Sequence, residues 1–209
     1  GRGRRASARC SAMTFRLGLT GSIGMGKLTT AAIFAESGCA IWDADAAVHK
    51  MYSRGGLAVD PIGTLWPEVI EDGAVSRLVL KEILGRNPGL LPKLEAIVHP
   101  LVARDRADFA ATTLAQITVF DIPLLFETGG DAEMDATACV FVAPEVQKAR
   151  VMERGTMTEA QFEQILSHQM PIAEKLARAD FRIETDTLEH ARRQVNDVLS
   201  DIRGRINHA

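Results

Sequence analysis

Apolar residues along the chain fall into two patterns. Short runs of strand type occur at Phe15 to Thr20 (FRLGLT), Cys39 to Trp42, Ile117 to Ile122 (ITVFDI), Thr137 to Val142 (TACVFV) and Phe181 to Thr185. The third and fourth are nearly continuous, as in parallel strands covered on both faces. Between them lie helical patterns: Thr29 to Ser37, with Gly38 as a stop, and Pro144 to about Arg154, with proline in the first turn. Leu188, Ala191, Val195, Val198, Leu199, Ile202 and Ile206 form one stripe of a closing amphipathic helix. Strands that alternate with helices predict an α/β fold, a doubly wound parallel sheet of about five strands, with ligands at the carboxyl ends of the strands.

From Ala46 to about Gln116 the pattern is mostly helical and shows no strand signal. Helices are expected over Ser76–Leu84, Leu90–Val98 and Leu101–Ala115, broken by Pro88, Pro92 and Pro100. Such a stretch reads as a helical insertion between the second and third strands, a natural place for a second substrate. A polar helical segment follows Arg154. The expected organisation is a single domain over residues 13–209: core 13–45, 117–143 and 181–209, with elaborations at 46–116 and 144–180.

The first strand runs into Gly21-Ser22-Ile23-Gly24-Met25-Gly26-Lys27, which fits the G-x-x-x-x-G-K part of a Walker A motif in its required strand-to-helix context. Glycines let backbone N–H groups fold around phosphates, the following helix adds its positive end, and Lys27 balances β- and γ-phosphate charge. A chance glycine turn leaves that lysine unexplained. The next position calls for a Ser or Thr hydroxyl on Mg²⁺, and it is Leu28. An isobutyl group cannot ligate a hard cation that wants oxygen. Thr29, one residue on, faces a different side of the helix and is expected at the α-phosphate. The loop therefore predicts binding of ATP with weakened Mg²⁺ positioning and a lowered rate.

Composition narrows the setting. The 209 residues carry 24 Lys and Arg against 27 Asp and Glu, a formal charge of −3, so no overall basic field invites nucleic acid or an anionic membrane. No apolar run reaches the roughly 18 to 20 residues that span a bilayer. Cys10, Cys39 and Cys139 lack metal-ligand spacing, which fits reduced thiols in the cytoplasm, two of them buried as small hydrophobes. Residues 1–12 (GRGRRASARCSA) are basic and free of acid. Met13 reads as the natural beginning, and the preceding segment as a mis-set start, a remnant or a disordered arm.

The run LTGSIGMGK, then Asp43-Ala-Asp45, His99-Pro100, Ile122-Pro-Leu-Leu-Phe-Glu127, Gln169 and Ala179-Asp180 with Ile183 resembles dephospho-CoA kinases in order and spacing over nearly the whole chain. The resemblance implies an adenylate-kinase-like core, a helical domain that holds the acceptor, and a mobile lid over ATP at 144–180. It implies phosphorylation of the ribose 3′-hydroxyl of dephospho-coenzyme A, by a monomer or small homo-oligomer. Thr185 stands where the family commonly has Asn, and Met25 where it has a small residue.

Asp45, at the carboxyl end of the second strand, is placed to accept a proton from an attacking hydroxyl, the role the resemblance implies; the rival reading is a helix N-cap. Asp43 is the weaker candidate. Asp121 ends its hydrophobic run in the manner of a Walker B acid that helps hold Mg²⁺, with Glu127 as competitor. Arg150 and Arg154, four apart on one helix face, suit a shared anion. On spacing alone a solvated basic face is the better reading, and only the resemblance tips the balance toward a transferring phosphoryl group. His49, His99 and Arg77 are candidates for the acceptor site. Two other readings remain: a nucleoside or nucleotide kinase, and a non-catalytic nucleotide-binding protein.

Overall fold

A computed structural model describes residues 13–209, so Cys10 and the basic segment 1–12 lie outside the described residues. In chain order the elements are β1 (Phe15–Thr20), α1 (Lys27–Glu36), β2 (Ala40–Asp43), α2 (Ala44–Tyr52), α3 (Val59–Leu65), β3 (Ile70–Glu71), β4 (Ala74–Val75), α4 (Arg77–Arg86), α5 (Leu91–Thr112), β5 (Ile117–Asp121), β6 (Ala136–Phe141), α6 (Pro144–Arg154), α7 (Glu159–His168), α8 (Ile172–Arg178), β7 (Phe181–Glu184) and α9 (Leu188–Asn207).

Five strands form one sheet in the order β2-β5-β1-β6-β7, and every neighbouring pair is parallel. β1 is central because its alternate residues Leu17 and Leu19 are fully buried, as are Val119 of β5 and Ala138 and Val140 of β6. Helices α1 and α9 cover the sheet with Ile33, Phe34, Val195, Leu199 and Ile202. The stripe expected at the C-terminal end is thus the buried face of α9. From β1 the chain runs to one side for β2 and β5 and to the other for β6 and β7, so the sheet order reverses at β1. A crevice opens there at the carboxyl ends, where such sheets bind ligands.

The segment between β2 and β5 builds a second apolar core from Ile62, Trp66, Val69, Leu80 and Leu94. A smaller cluster of Trp42, Ala47, Ala110, Phe120 and Ile122 joins it to the sheet, with the Trp42 and Phe120 rings 5.9 Å apart. Two expectations for this segment need correction. Pro100 does not break a helix: α5 runs unbroken from Leu91 to Thr112. Leu94 and Val98 before the proline and Ala110 after it are all buried, and this packing on both sides outweighs the one backbone hydrogen bond that proline forfeits. A hairpin also interrupts the helices, β3 pairing antiparallel with β4, Ile70 opposite Val75. Its turn residues Asp72 and Gly73 have φ of 50° and 78°, the Asp-Gly signature of a two-residue turn. Two-residue strands leave no run of apolar positions to read.

Cys39 and Cys139 are buried free thiols, and burial pushes both up to about 11. Each native thiol keeps its proton to higher pH than the ordinary thiol at 9.0, so this contribution to stability is lost as pH rises from about 9 to about 11. Alkylation at pH 8 with peptide mapping is expected to leave both unmodified in the folded chain and to label both in denaturant. Native labelling of either would contradict its burial.

No helix among the described residues is long and apolar enough to cross a membrane.

Candidate active site

Between β1 and α1 the chain turns through Gly24 and Gly26, whose φ values of 73° and 84° belong to the left-handed region that side chains disfavour. A Cβ on Gly24 would also stand 2.5 Å from the Val151 side chain. The loop residues Gly21, Ser22, Ile23, Gly24, Met25 and Gly26, with Lys27, Leu28 and Thr29 of the first helical turn, wall a cavity of about 290 Å³. Asp45, Pro123, Arg154, Ile165 and Gln169 complete it. Gly26 caps α1 without a side-chain bond, which leaves the helix N-terminus open to an anion. Leu28 is 69% exposed at this cavity, and Thr29 is exposed beside it.

Lys27 Nζ donates to Asp121 Oδ1 at the end of β5. Asp121 is 2% exposed and pairs in register with Leu19 and with Asp43. Burial pushes its carboxyl above the ordinary range; Lys27 opposes the shift, and the nearby carboxylates of Asp43 and Asp45 add to it. Three acidic side chains thus converge beneath the loop.

The rival reading of Asp45 as the cap of α2 does not hold. Asp43 holds that post, accepting from the Ala46 N–H at 3.0 Å. Asp45 lies in the first turn, exposed, in the wall of the loop cavity and also of a larger one of about 510 Å³. The second cavity is lined by Trp42, Val48, Val98, His99, Val102, Arg106, Ile122 and Leu124, among others. Its apolar wall suits a flat or aliphatic ligand. Its polar rim is tied down: Trp42 Nε1 donates to Asp105 at 2.9 Å, and Arg106 lies 5.9 Å over the Trp42 ring while it donates to Glu133 at 2.5 Å.

Arg150 donates to the side chain of Thr185 at 3.1 Å and to its carbonyl, and Thr185 Oγ1 in turn donates to Met25 O at 2.6 Å. Arg150 and Arg154 meet at a third cavity of about 240 Å³ beside Gly26, Thr29 and Thr185, but only Arg154 also reaches the loop cavity. His49 is exposed on α2 and lines none of these three cavities. Arg77 lies 5.3 Å over the Tyr52 ring and also lines none of them. The expected acceptor set is therefore not brought together: His99 and Asp45 share a cavity, and the other two stand apart.

A family model described as dephospho-CoA kinase matches residues 15–190. The chain belongs to the dephospho-CoA kinase family. It is 64% identical over 197 residues to a dephospho-CoA kinase of Ruegeria pomeroyi, covering 94% of this chain and all of that one. To a dephospho-CoA kinase of Cereibacter sphaeroides it is 56% identical over 189 residues, 90% of this chain and 96% of the relative. Among solved structures, TT1252 from Thermus thermophilus is similar with a TM-score of 0.80 at 29% identity, over 90% of this chain and 98% of that one. The dephospho-CoA kinase from Campylobacter jejuni shares the fold, with a TM-score of 0.70 at 24% identity over 92% and 100% of the two chains.

Members of such a kinase family use ATP and typically a divalent metal. The chemistry of the donors suits a hard cation, since Asp43, Asp45 and Asp121 carry carboxylate oxygens, but these oxygens do not gather into one cluster. Among the described residues Glu184, Asp186 and His190 are the group whose ligand atoms lie within 4.8 Å of one another, and Lys27 engages Asp121 while the Ala46 N–H engages Asp43. The loop hydroxyl common to P-loop kinases is the missing oxygen. Trp42, Arg106 and Glu133 escaped the sequence reading, as did Gln147, whose side chain reaches the Ile23 carbonyl. For Arg106 a signal existed: it follows His99 by seven residues on one helix, two turns along the same face.

Proposed function

We propose that this chain transfers the γ-phosphoryl of Mg·ATP to the ribose 3′-hydroxyl of dephospho-coenzyme A, giving ADP and coenzyme A, the last step in the synthesis of that cofactor. The observation that carries the reading is that Asp45 stands in the wall of two cavities at once, the one lined by the phosphate loop and the one with an apolar wall. A donor and an acceptor seated in the two meet at that carboxylate.

In this mechanism the loop amides and Lys27 hold the β- and γ-phosphates, and the open N-terminus of α1 adds positive potential. The acceptor's 3′-oxygen attacks the γ-phosphorus in line, its proton passes to Asp45, and the bond to the β-bridging oxygen breaks as ADP leaves. Arg154 faces the loop cavity, and Arg150, oriented by Thr185, faces the neighbouring one; both neutralise charge as it spreads over the phosphoryl oxygens. Asp121 is the carboxylate that would hold Mg²⁺ or its waters, and the ion would supply neutralisation of phosphate charge. The lid, residues 144–180, keeps water from the transferring group. Core 13–45, 117–143 and 181–209, acceptor insertion 46–116 and this lid form one kinase domain. His99 lies in the acceptor cavity within contact range of a bound ligand.

A coupled ADP-release assay with an acceptor panel tests the proposal. ADP release that depends on dephospho-coenzyme A, over nucleosides and nucleoside monophosphates, is the expected outcome. Faster turnover of the smaller acceptors makes the chain a nucleoside or nucleotide kinase. Binding of ATP and acceptor without product at any Mg²⁺ or Mn²⁺ concentration makes it a non-catalytic binder.

A further inference from the structure

Ile23 lies within the phosphate loop, and both of its main-chain hydrogen-bonding atoms are taken by glutamines from the lid segment. Gln147 Nε2, on α6, donates to the Ile23 carbonyl at 2.8 Å, and the Ile23 N–H donates to Gln169 Oε1, just past α7, at 3.3 Å. Gln147 is 4% exposed, unusual for a glutamine and consistent with its side chain being committed to this contact. Gln169 is in turn fixed from behind. The next residue's N–H, that of Met170, donates to Glu127 Oε2 at 3.1 Å, and Glu127 is paired at 3.1 Å with Lys175, which is wholly buried. Lys175 Nζ also donates to Pro123 O, which accepts from Thr20 Oγ1 as well. The second glutamine is therefore anchored to the ends of β1 and β5.

We propose that Gln147 and Gln169 are positioning residues that clamp one residue of the phosphate loop between the two ends of the lid, and so hold the loop amides in the arrangement that binds ATP. Neither glutamine need touch the reacting atoms. Arg150 and Arg154 ride on the same helix as Gln147, three and seven residues on, so the clamp sets the lid arginines and the loop in one frame. The inference rests on ATP being the ligand of the loop.

The test compares Gln147→Met, Gln169→Met and the double variant, which keep side-chain volume but lose the hydrogen bonds. Each single change is expected to raise the Kd for ATP about three- to tenfold, the value of one hydrogen bond, with little change in KM for the acceptor. Once one bond is gone the Ile23 backbone is free to swing, so the double variant should bind ATP about as poorly as the weaker single one. Multiplying effects, or an equal rise in acceptor KM, overturn the clamp. The polarity of each bond adds a second readout. Gln169→Glu keeps an oxygen for the Ile23 N–H, whereas Gln147→Glu turns an oxygen toward the Ile23 carbonyl. Gln147→Glu is therefore expected to bind ATP more weakly than Gln147→Met, because it sets an acceptor oxygen against the Ile23 carbonyl; a Gln147→Glu variant that binds ATP as well as the wild type overturns the proposal. A wild-type chain that fails to bind ATP in calorimetry overturns the functional reading itself. A wild type that binds, with variants that match it, overturns the clamp alone.

Discussion

Replacing Asp45 by Asn is expected to lower kcat by about 10²- to 10⁴-fold while ATP still binds, because the variant removes the proposed acceptor of the attacking hydroxyl's proton and leaves the phosphate loop intact. The lower end of that range is the better expectation. In a loose phosphoryl-transfer transition state the nucleophile's proton leaves late, and positioning with charge neutralisation carries most of the rate. The fold should not change, since Asp45 is exposed and the cap of α2 belongs to Asp43. Asp43→Asn is the matched control: asparagine also caps a helix well, so α2 keeps its N-terminal bond. If Asp43→Asn lost more activity than Asp45→Asn with the fold intact, the two carboxylates would have to exchange roles. If neither mattered, the hydroxyl would need no base from this chain.

The parts of the fold that were legible in the sequence are those whose cause is local. β5 and β6 are buried along nearly their whole length, so their apolar runs are unbroken and their boundaries lie within a residue of expectation. The phosphate loop and Lys27 follow from nine consecutive letters, and Asp45 and Asp121 from standing just past or at the ends of strands. What could not be read depends on contacts between distant residues. Gln147 meets Ile23 across 124 positions, Gln169 meets it across 146, and Thr185 meets Met25 across 160. No periodicity records such pairings. His49 is a different case. It follows Asp45 by one helical turn, which suggested a shared site, yet α2 buries Ala47 and Met51 and leaves His49 in solvent. A short interval along a helix places two residues on a common face; it does not say how far a cavity extends along that face.

Leu28→Ser is expected to raise kcat about ten- to hundredfold at limiting Mg²⁺, the range over which a single supporting group alters metal affinity or activity. It should also lower the Mg²⁺ concentration that gives half-maximal rate. Leu28 is 69% exposed, so its side chain adds little to the core, and the change should leave stability within about 0.5 kcal/mol in thermal unfolding. Serine is somewhat poorer than leucine inside a helix, but in the first turn of α1 its hydroxyl finds the open N-terminus. A gain in rate without a gain in stability would thus isolate the oxygen ligand as the cause. Thr29 supplies the control, because its hydroxyl borders the same cavity one residue on. If Thr29 has taken over the cation's ligand position, Leu28→Ser brings no gain and Thr29→Val abolishes turnover. If the position is filled by water, Thr29→Val has a small effect and the serine restores what the leucine withholds. The two substitutions together therefore decide whether this loop compensates for its missing hydroxyl or works without it.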